Sequence, residues 1–355
     1  MSFVVTLSPS GRTFEVEEGA SILTTALNQH INLPYGCRLG TCCSCRGKVT
    51  TGSVDFGDAH PAYLPQSQRD QGYALLCAAK PLSDLTIEIE ELPPLADPIT
   101  FPAMVKAIDF LAPDVAKVTL RLPLHENLKI AAGQFVDLTL GNGVSRSYSI
   151  ANPPKLSNMV DLEFHIRHMP GGAFTDHVFG GMKARERVEC RGPLGTFFLR
   201  ESDRPAIMLA SGTGYAPIRS ILLDQCARQR GREFVLYWGG RTRADLYANE
   251  EVEALVREHP NIRYVPVLSD ATDDCHWSGR TGFVHSAVME DFPDMSAVQV
   301  YACGAPVMVD AARQDFSEKC NLSSSDFFAD SFVSSADVTT SGDAPAFDGY
   351  GAKVE

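Results

Sequence analysis

Cys37-Arg38-Leu39-Gly40-Thr41-Cys42-Cys43-Ser44-Cys45 gathers four of the chain's ten cysteines into nine residues. Thiols this crowded read as metal binding or redox chemistry rather than as a disulfide framework. Cys37, Cys42 and Cys45 have the spacing C-x4-C-x2-C, and Cys77 is the only other cysteine before Cys190. An iron–sulfur cluster needs deprotonated soft ligands on all sides, three from a wrapping loop and one from a distant segment. Gly36, Gly40 and Gly47 suit a backbone that curls tightly, and the N–H groups so exposed can hydrogen-bond to sulfur. A structural zinc site usually shows two C-x2-C pairs, and here Cys42 and Cys45 make only one. The spacing therefore predicts a [2Fe-2S] cluster on Cys37, Cys42, Cys45 and Cys77, with Cys43 left over as a non-ligand.

Outward from this loop the chain falls into blocks. Residues 1–92 alternate apolar and polar positions in Phe3–Leu7, Thr13–Val16, Gly47–Val54 and Asp84–Ile89, with a short helix expected from Ser21 to Leu27 and Ser21 as its N-cap. This predicts a small α+β domain. Residues 93–102 are proline-rich and read as a semi-rigid linker. Residues 103–202 hold short strand patterns divided by glycine turns, which predicts an antiparallel β-barrel. Residues 203–334 alternate apolar runs with helical patterns, which predicts an α/β doubly wound parallel sheet. Residues 335–355 are small and polar and read as a mobile tail.

With 355 residues, 44% hydrophobic and 21% charged, the chain is long enough for two or three domains and has the composition of a soluble protein. No apolar run reaches membrane-spanning length, and the first residues lack a secretory pattern, so a cytoplasmic location is expected. A net charge of −13 argues against nucleic acid or an anionic membrane as partner.

Two further constellations carry chemistry. In Arg146-Ser147-Tyr148-Ser149, arginine offers a cationic fork for a pyrophosphate, tyrosine a flat face for a ring, and serine a hydroxyl for a ring nitrogen. Downstream, Gly171-Gly172-Ala173-Phe174-Thr175 leads into a helix and suits a phosphate. In the last block, Gly212-Thr213-Gly214-Tyr215-Ala216-Pro217 follows a strand and opens a helix, the context for a dinucleotide at a helix N-terminus. A third glycine is missing, and the next strand ends in Gly239-Gly240-Arg241 rather than in an acid. Tyr301-Ala302-Cys303-Gly304-Ala305-Pro306 follows later as a second segment with glycine and proline at a strand end.

The first block resembles the plant-type ferredoxin domain, and the third is similar to the nucleotide module of the ferredoxin–NADP reductase superfamily. Together the order resembles the NAD(P)H-dependent reductase components of multicomponent bacterial oxygenases, the phenol hydroxylase and aromatic-ring dioxygenase type. Loops of this kind commonly carry Gly or Ala where Cys43 stands. The resemblance implies that Arg146, Ser147, Tyr148 and Ser149 hold FAD, with Ser149 near the reactive ring nitrogen, and that Gly171, Gly172 and Thr175 cradle its pyrophosphate. It places Gly212, Thr213, Gly214, Pro217, Gly240 and Arg241 on the pyridine nucleotide, and Cys303 and Gly304 near the nicotinamide. Asp330-Ser331-Phe332 matches a C-terminal segment that lies against the flavin, which would give Phe332 a catalytic place beside Ser149 and Cys303.

The three modules make chemical sense together. A nicotinamide gives up a hydride, a [2Fe-2S] cluster takes one electron at a time, and a flavin converts between them. The expected function is electron transfer from NADH, with NADPH possible, through FAD and the cluster to an oxygenase component or small ferredoxin, by a monomer. One alternative is a deoxysugar-biosynthesis reductase serving a dehydrase. Another is a redox-sensing or zinc-stabilised binding protein on the same scaffold. No histidine is promoted to a catalytic role, although His165 and His168 flank Arg167 beside the flavin motif.

Overall fold

The computed structural model describes residues 1–124, 128–155, 159–271 and 276–332. The expected tail, 335–355, lies outside the described residues. The chain divides into two compact units, Met1–Leu95 with the described residues from Asp330, and Ala96–Ala329.

In the first unit the strands are β1 (Ser2–Ser8), β2 (Thr13–Glu17), β3 (Arg46–Thr51), β4 (Val54–Asp55), β5 (Tyr73–Leu75), β6 (Lys80–Pro81) and β7 (Leu85–Glu88), with helices α1 (Ile22–Asn28) and α2 (Gln66–Asp70). Five strands form one sheet in the order β2-β1-β7-β3-β5. Period-two alternation turns Val5, Leu7, Phe14, Val16, Leu85 and Ile87 into the core. Ser21 caps α1 as expected, its hydroxyl accepting from Thr24 N–H at 3.3 Å. Pairing of β3 with β5 sets Arg46 opposite Leu75, and Leu76 N–H donates to the Cys45 carbonyl at 3.0 Å. That register is what carries Cys77 to the cysteine loop from 32 residues away in sequence.

The second unit begins with six antiparallel strands: β8 (Ile99–Ala112), β9 (Val115–Arg121), β10 (Phe135–Thr139), β11 (Ser145–Ser149), β12 (Asp161–Arg167) and β13 (Arg187–Leu194), with helix α3 (Ala173–Gly180) before the last. They run in the order β11-β10-β13-β8-β9-β12, and an antiparallel bridge from Ile150 to Phe164 joins the two ends into a barrel. One difference from the sequence reading stands out. Strand β8 starts at Ile99, inside the stretch read as a linker, and Pro102 lies opposite Glu189 of β13. Pairing with β9 begins only at Met104, so proline's missing N–H falls where the strand has one neighbour.

The unit continues as strands β14 (Ala206–Ser211), β15 (Phe234–Gly240), β16 (Ile262–Leu268), β17 (Arg280–Thr281), β18 (Gln299–Gly304) and β19 (Phe327–Ser331), alternating with helices α4 (Tyr215–Ala227), α5 (Asn249–Glu258), α6 (Val284–Asp291) and α7 (Pro306–Lys319). Sheet order is β17-β16-β15-β14-β18-β19, and β14 pairs in parallel with both β15 and β18. Every residue of β14, β15 and β18 is buried, the pattern of a parallel sheet covered on both faces. Each large aliphatic or aromatic side chain placed there contributes about 1.5–3 kcal/mol. The order reverses between β14 and β18, and the crevice beyond strand ends at such a switch point is where ligands bind.

Candidate functional site

Four sulfurs meet in the first unit as two pairs. The thiol of Cys37 interacts electrostatically with that of Cys42, and Cys45 with Cys77. In each pair one thiol is held up and the other down. The interaction with Cys42, opposed by burial and helped by Thr41 and the Leu39 N–H, draws Cys37 down to about 5. Its interaction with Cys37 and its burial raise Cys42; the same two causes raise Cys45, whose partner Cys77 is lowered. Further donors surround the pairs: Cys37 N–H to Cys42 Sγ and Leu39 N–H to Cys37 Sγ, both 3.3 Å, and the Thr41 hydroxyl to Cys37 Sγ at 3.5 Å. Among the described residues no three His, Cys, Asp or Glu side chains converge as they would around a single ion. Two adjacent thiol pairs suit a binuclear cluster, with two thiolates for each iron. Cys43 points elsewhere. Its φ is +58°, its side chain is buried, and its Sγ donates to the Tyr63 carbonyl at 3.1 Å.

Strand β11 presents the second constellation. Ser149 is buried with no hydrogen bond from its hydroxyl to the described residues, so that group is free for a ring nitrogen. Tyr148 is half-buried, its ring 5.0 Å from that of Phe174 on α3, and burial pushes its phenol up. Arg146 is exposed and donates to the Ser145 carbonyl. Ser147 is already committed, donating to Asp137 across the ladder. Thr175 is committed too: its hydroxyl donates to the Met169 carbonyl at 2.9 Å and accepts from Met169 N–H at 3.1 Å. It shapes the Gly171–Gly172 turn from beneath. Gly171 needs its glycine for φ +84°, and a Cβ on Gly172 would lie 2.9 Å from Thr175 Oγ1.

At the switch point the two nucleotide motifs come together. Gly212–Gly214 forms a tight turn after β14, and Pro217 is buried in the first turn of α4. A Cβ on Gly214 would sit 2.1 Å from the Cys303 carbonyl oxygen, and one on Gly304 2.3 Å from Ser211 Oγ. Backbone thus lies on backbone. Ser211 Oγ accepts from Ala305 N–H at 3.0 Å, tying the second turn to the first. The Cys303 side chain is fully buried. Asp330 and Ser331 are buried and Phe332 half-buried where the last strand ends.

Two residues emerge here that the sequence reading passed over. No acid ends β15, yet Asp245 folds back on that end, its Oδ2 accepting from the N–H groups of Arg241 and Thr242 at 3.1 and 2.9 Å. Gly240 permits the approach, since a Cβ there would be 2.8 Å from Asp245 Cβ. Burial raises the Asp245 carboxyl, but the Thr242 N–H and the Arg167 charge outweigh it and hold it below the usual range. Arg167, at the end of barrel strand β12, donates to Asp245 at 3.2 Å. Its Nε forms an ion pair with Asp114 Oδ2 at 3.5 Å, while its Nη2 is buried without a hydrogen-bond partner and lies 3.9 Å from where a Gly212 Cβ would be. Buried donors left over in this way call for an acceptor. His165, two residues earlier, is buried, and burial drops it to about 3, so it is a neutral packing residue.

A chain with paired cluster thiols, a flavin-type barrel and a nucleotide crevice is an iron–sulfur flavoprotein oxidoreductase. Three family models match it in order: a 2Fe-2S iron-sulfur cluster binding domain over residues 5–82, an oxidoreductase FAD-binding domain over 102–199, and an oxidoreductase NAD-binding domain over 208–314. Over 337 residues it is 39% identical to the CDP-6-deoxy-L-threo-D-glycero-4-hexulose-3-dehydrase reductase of Yersinia pestis, covering 94% of this chain and 100% of the relative. It is equally 39% identical over 344 residues to DmpP, the reductase component of phenol 2-monooxygenase from Pseudomonas sp. strain CF600, covering 95% and 96%. Among solved structures, the Amycolatopsis cytochrome P450 reductase GcoB aligns with a TM-score of 0.72 at 35% identity, covering 93% of this chain and 98% of that one. The chain belongs to the family of three-module reductases that carry a [2Fe-2S] cluster, FAD and a pyridine nucleotide on one polypeptide. No described helix is long and apolar enough to cross a membrane.

Proposed function

We propose that this protein is the reductase component of an aromatic-compound oxygenase, oxidising NADH and delivering single electrons to its partner, a terminal oxygenase or small ferredoxin. The observation that carries the redox part is the gathering of Cys37, Cys42, Cys45 and Cys77 within the matched cluster domain of a chain that also matches the FAD- and NAD-binding domains. The phenol 2-monooxygenase reductase and the P450 reductase support the oxygenase as acceptor. Equal identity to the hexulose dehydrase reductase supports a second reading, in which a dehydrase takes the electrons.

Bound between Arg146–Ser149 and the Gly171–Gly172 turn, FAD would supply the conversion between two-electron chemistry at a nicotinamide and one-electron chemistry at the cluster. Around it the chain's own groups bind and orient. Ser149 offers its free hydroxyl to the flavin ring, Tyr148 its face, and Arg146 its charge to the pyrophosphate. The one unpartnered nitrogen of Arg167, Nη2, beside Gly212, offers its donors to the diphosphate of the pyridine nucleotide. Asp245, ionised at the end of β15 and held there by Arg241, Thr242 and Arg167, places negative charge that repels a 2′-phosphate, which supports NADH over NADPH. Thr41 and its neighbouring N–H groups donate to the ligand sulfurs and tune the cluster potential.

Purified protein should show flavin and iron–sulfur absorbance that bleaches with NADH and returns with cytochrome c. A colourless, zinc-containing preparation would sink the redox reading. Oxygen uptake with phenol-hydroxylase-type oxygenase components, set beside turnover with a hexulose dehydrase, separates the two acceptors. Turnover with the dehydrase alone would overturn the first choice.

A further inference from the structure

Beneath the Gly212–Gly214 turn lies a set of four rings, three of them buried and Tyr247 half-buried, whose arrangement the function does not account for. Trp238 and Tyr215 stack with centroids 4.3 Å apart at 19°, and Tyr247 meets Trp238 edge-on at 5.1 Å. From the barrel, His165 closes the set, its Nδ1 sharing a hydrogen bond with the Tyr247 hydroxyl at 2.9 Å. Trp238 is 0% exposed, and its indole N–H donates to the Gly212 carbonyl at 3.1 Å. The same carbonyl accepts from Tyr215 N–H. Both lone pairs of that oxygen are therefore used.

The consequence follows from peptide geometry. The Gly212 carbonyl and the Thr213 N–H belong to one planar trans unit, so they point in opposite directions. An oxygen drawn inward by Trp238 turns the Thr213 N–H outward, to the crevice at the strand ends. Gly212 itself has φ +51°, a left-handed conformation a free glycine holds weakly among many alternatives. Here the ring stack leaves it one.

We propose that Trp238 is a positioning residue for the pyridine nucleotide. Its N–H, held rigid by Tyr215 and Tyr247, fixes the Gly212–Thr213 peptide so that its donor faces the nucleotide diphosphate before binding. This rests on Gly212–Pro217 as the nucleotide turn.

The test replaces the indole N–H and nothing else. In a Trp277→Phe background, Trp238 is exchanged for 3-benzothienylalanine, which keeps ring size and stacking but has sulfur in place of N–H; Trp238→Phe serves as a second variant. Stopped-flow reduction of the bound flavin at varied NADH gives the dissociation constant and the limiting rate separately. The dissociation constant should rise about fivefold in the benzothienyl protein, the worth of one net hydrogen bond. The limiting rate and the flavin and cluster spectra should stay within twofold of the parent. An unchanged dissociation constant, or a loss confined to the limiting rate or to thermal stability, overturns the proposal. Absence of NADH-dependent flavin reduction in the parent protein itself would instead refute the nucleotide reading on which it stands.

Discussion

Gly214→Ala is the sharpest perturbation the nucleotide crevice offers. Gly214 has φ −58° and ψ −15°, a helical conformation that alanine adopts without strain. The only obstacle is space: the new methyl would lie 2.1 Å from the Cys303 carbonyl oxygen, 2.4 Å from its carbon and 2.7 Å from Gly304 Cα, where ordinary contact starts at 3.4 Å. All three are backbone atoms on a buried strand, so no side chain can swing away. Relief requires the two turns to part by about 1 Å, at roughly 1–3 kcal/mol for overpacking. A displacement of that size at a reacting geometry costs about a hundredfold in rate. The rate constant for flavin reduction by NADH should therefore fall about a hundredfold. Reduction by dithionite, and the resting flavin and cluster absorbance, should match the parent, because the barrel and the cysteine loop are untouched. A variant reduced by NADH at the parental rate would show that the two turns do not jointly seat the nicotinamide.

Three further outcomes are expected. Cys43→Ala should keep the cluster's visible spectrum while Cys42→Ala loses it; the reverse result would exchange the ligand assignment. Asp245→Asn removes the charge and keeps an acceptor, and should raise the ratio of kcat/KM for NADPH to that for NADH about tenfold, the effect of one like charge near a phosphate at intermediate dielectric; an unchanged ratio would discharge Asp245 from specificity. His165 has an acid signature. Its folded pKa is depressed to about 3 from 6.5, so the folded state is disfavoured once the unfolded chain can take up a proton. Its contribution is intact above pH 6.5 and drains as pH falls towards 3, reaching about 2 kcal/mol by pH 5. Denaturation of His165→Gln should be less pH-sensitive than that of the parent between pH 6.5 and 5, and parallel curves would count against this cause.

Much of the site was readable because its chemistry depends on spacing. The cysteine loop, Arg146–Ser149, Gly212–Pro217 and Cys303–Gly304 each fall within the matched cluster, FAD-binding and NAD-binding domains. What escaped were residues whose role comes from the fold. Asp245 stands five residues beyond Gly240 and reaches the end of β15 only because a tight turn brings it back. Arg167 became informative through a buried nitrogen, Nη2, left without a partner, a property no sequence displays. Thr175 and Ser147 went the other way, matching a pattern while their hydroxyls serve the loop and the ladder. Proline misled at residue 102, since a composition rule cannot tell a linker from the unshared end of a strand.

The bridge between Ile150 and Phe164 has one last implication. On one side β11 is held by a five-residue ladder to β10, whereas towards β12 the bridge follows its last residue. The barrel is thus closed beyond Ser149, by the bridge and by Asn152, whose side chain donates to the Asp161 carbonyl at 3.0 Å and accepts from Glu163 N–H at 2.8 Å, and β11 itself has a ladder on one side only. A ligand read through main-chain groups makes few demands on side chains. Substitutions along β11 outside Arg146, Tyr148 and Ser149, the residues proposed to hold the flavin, should therefore be borne more easily than changes at those three.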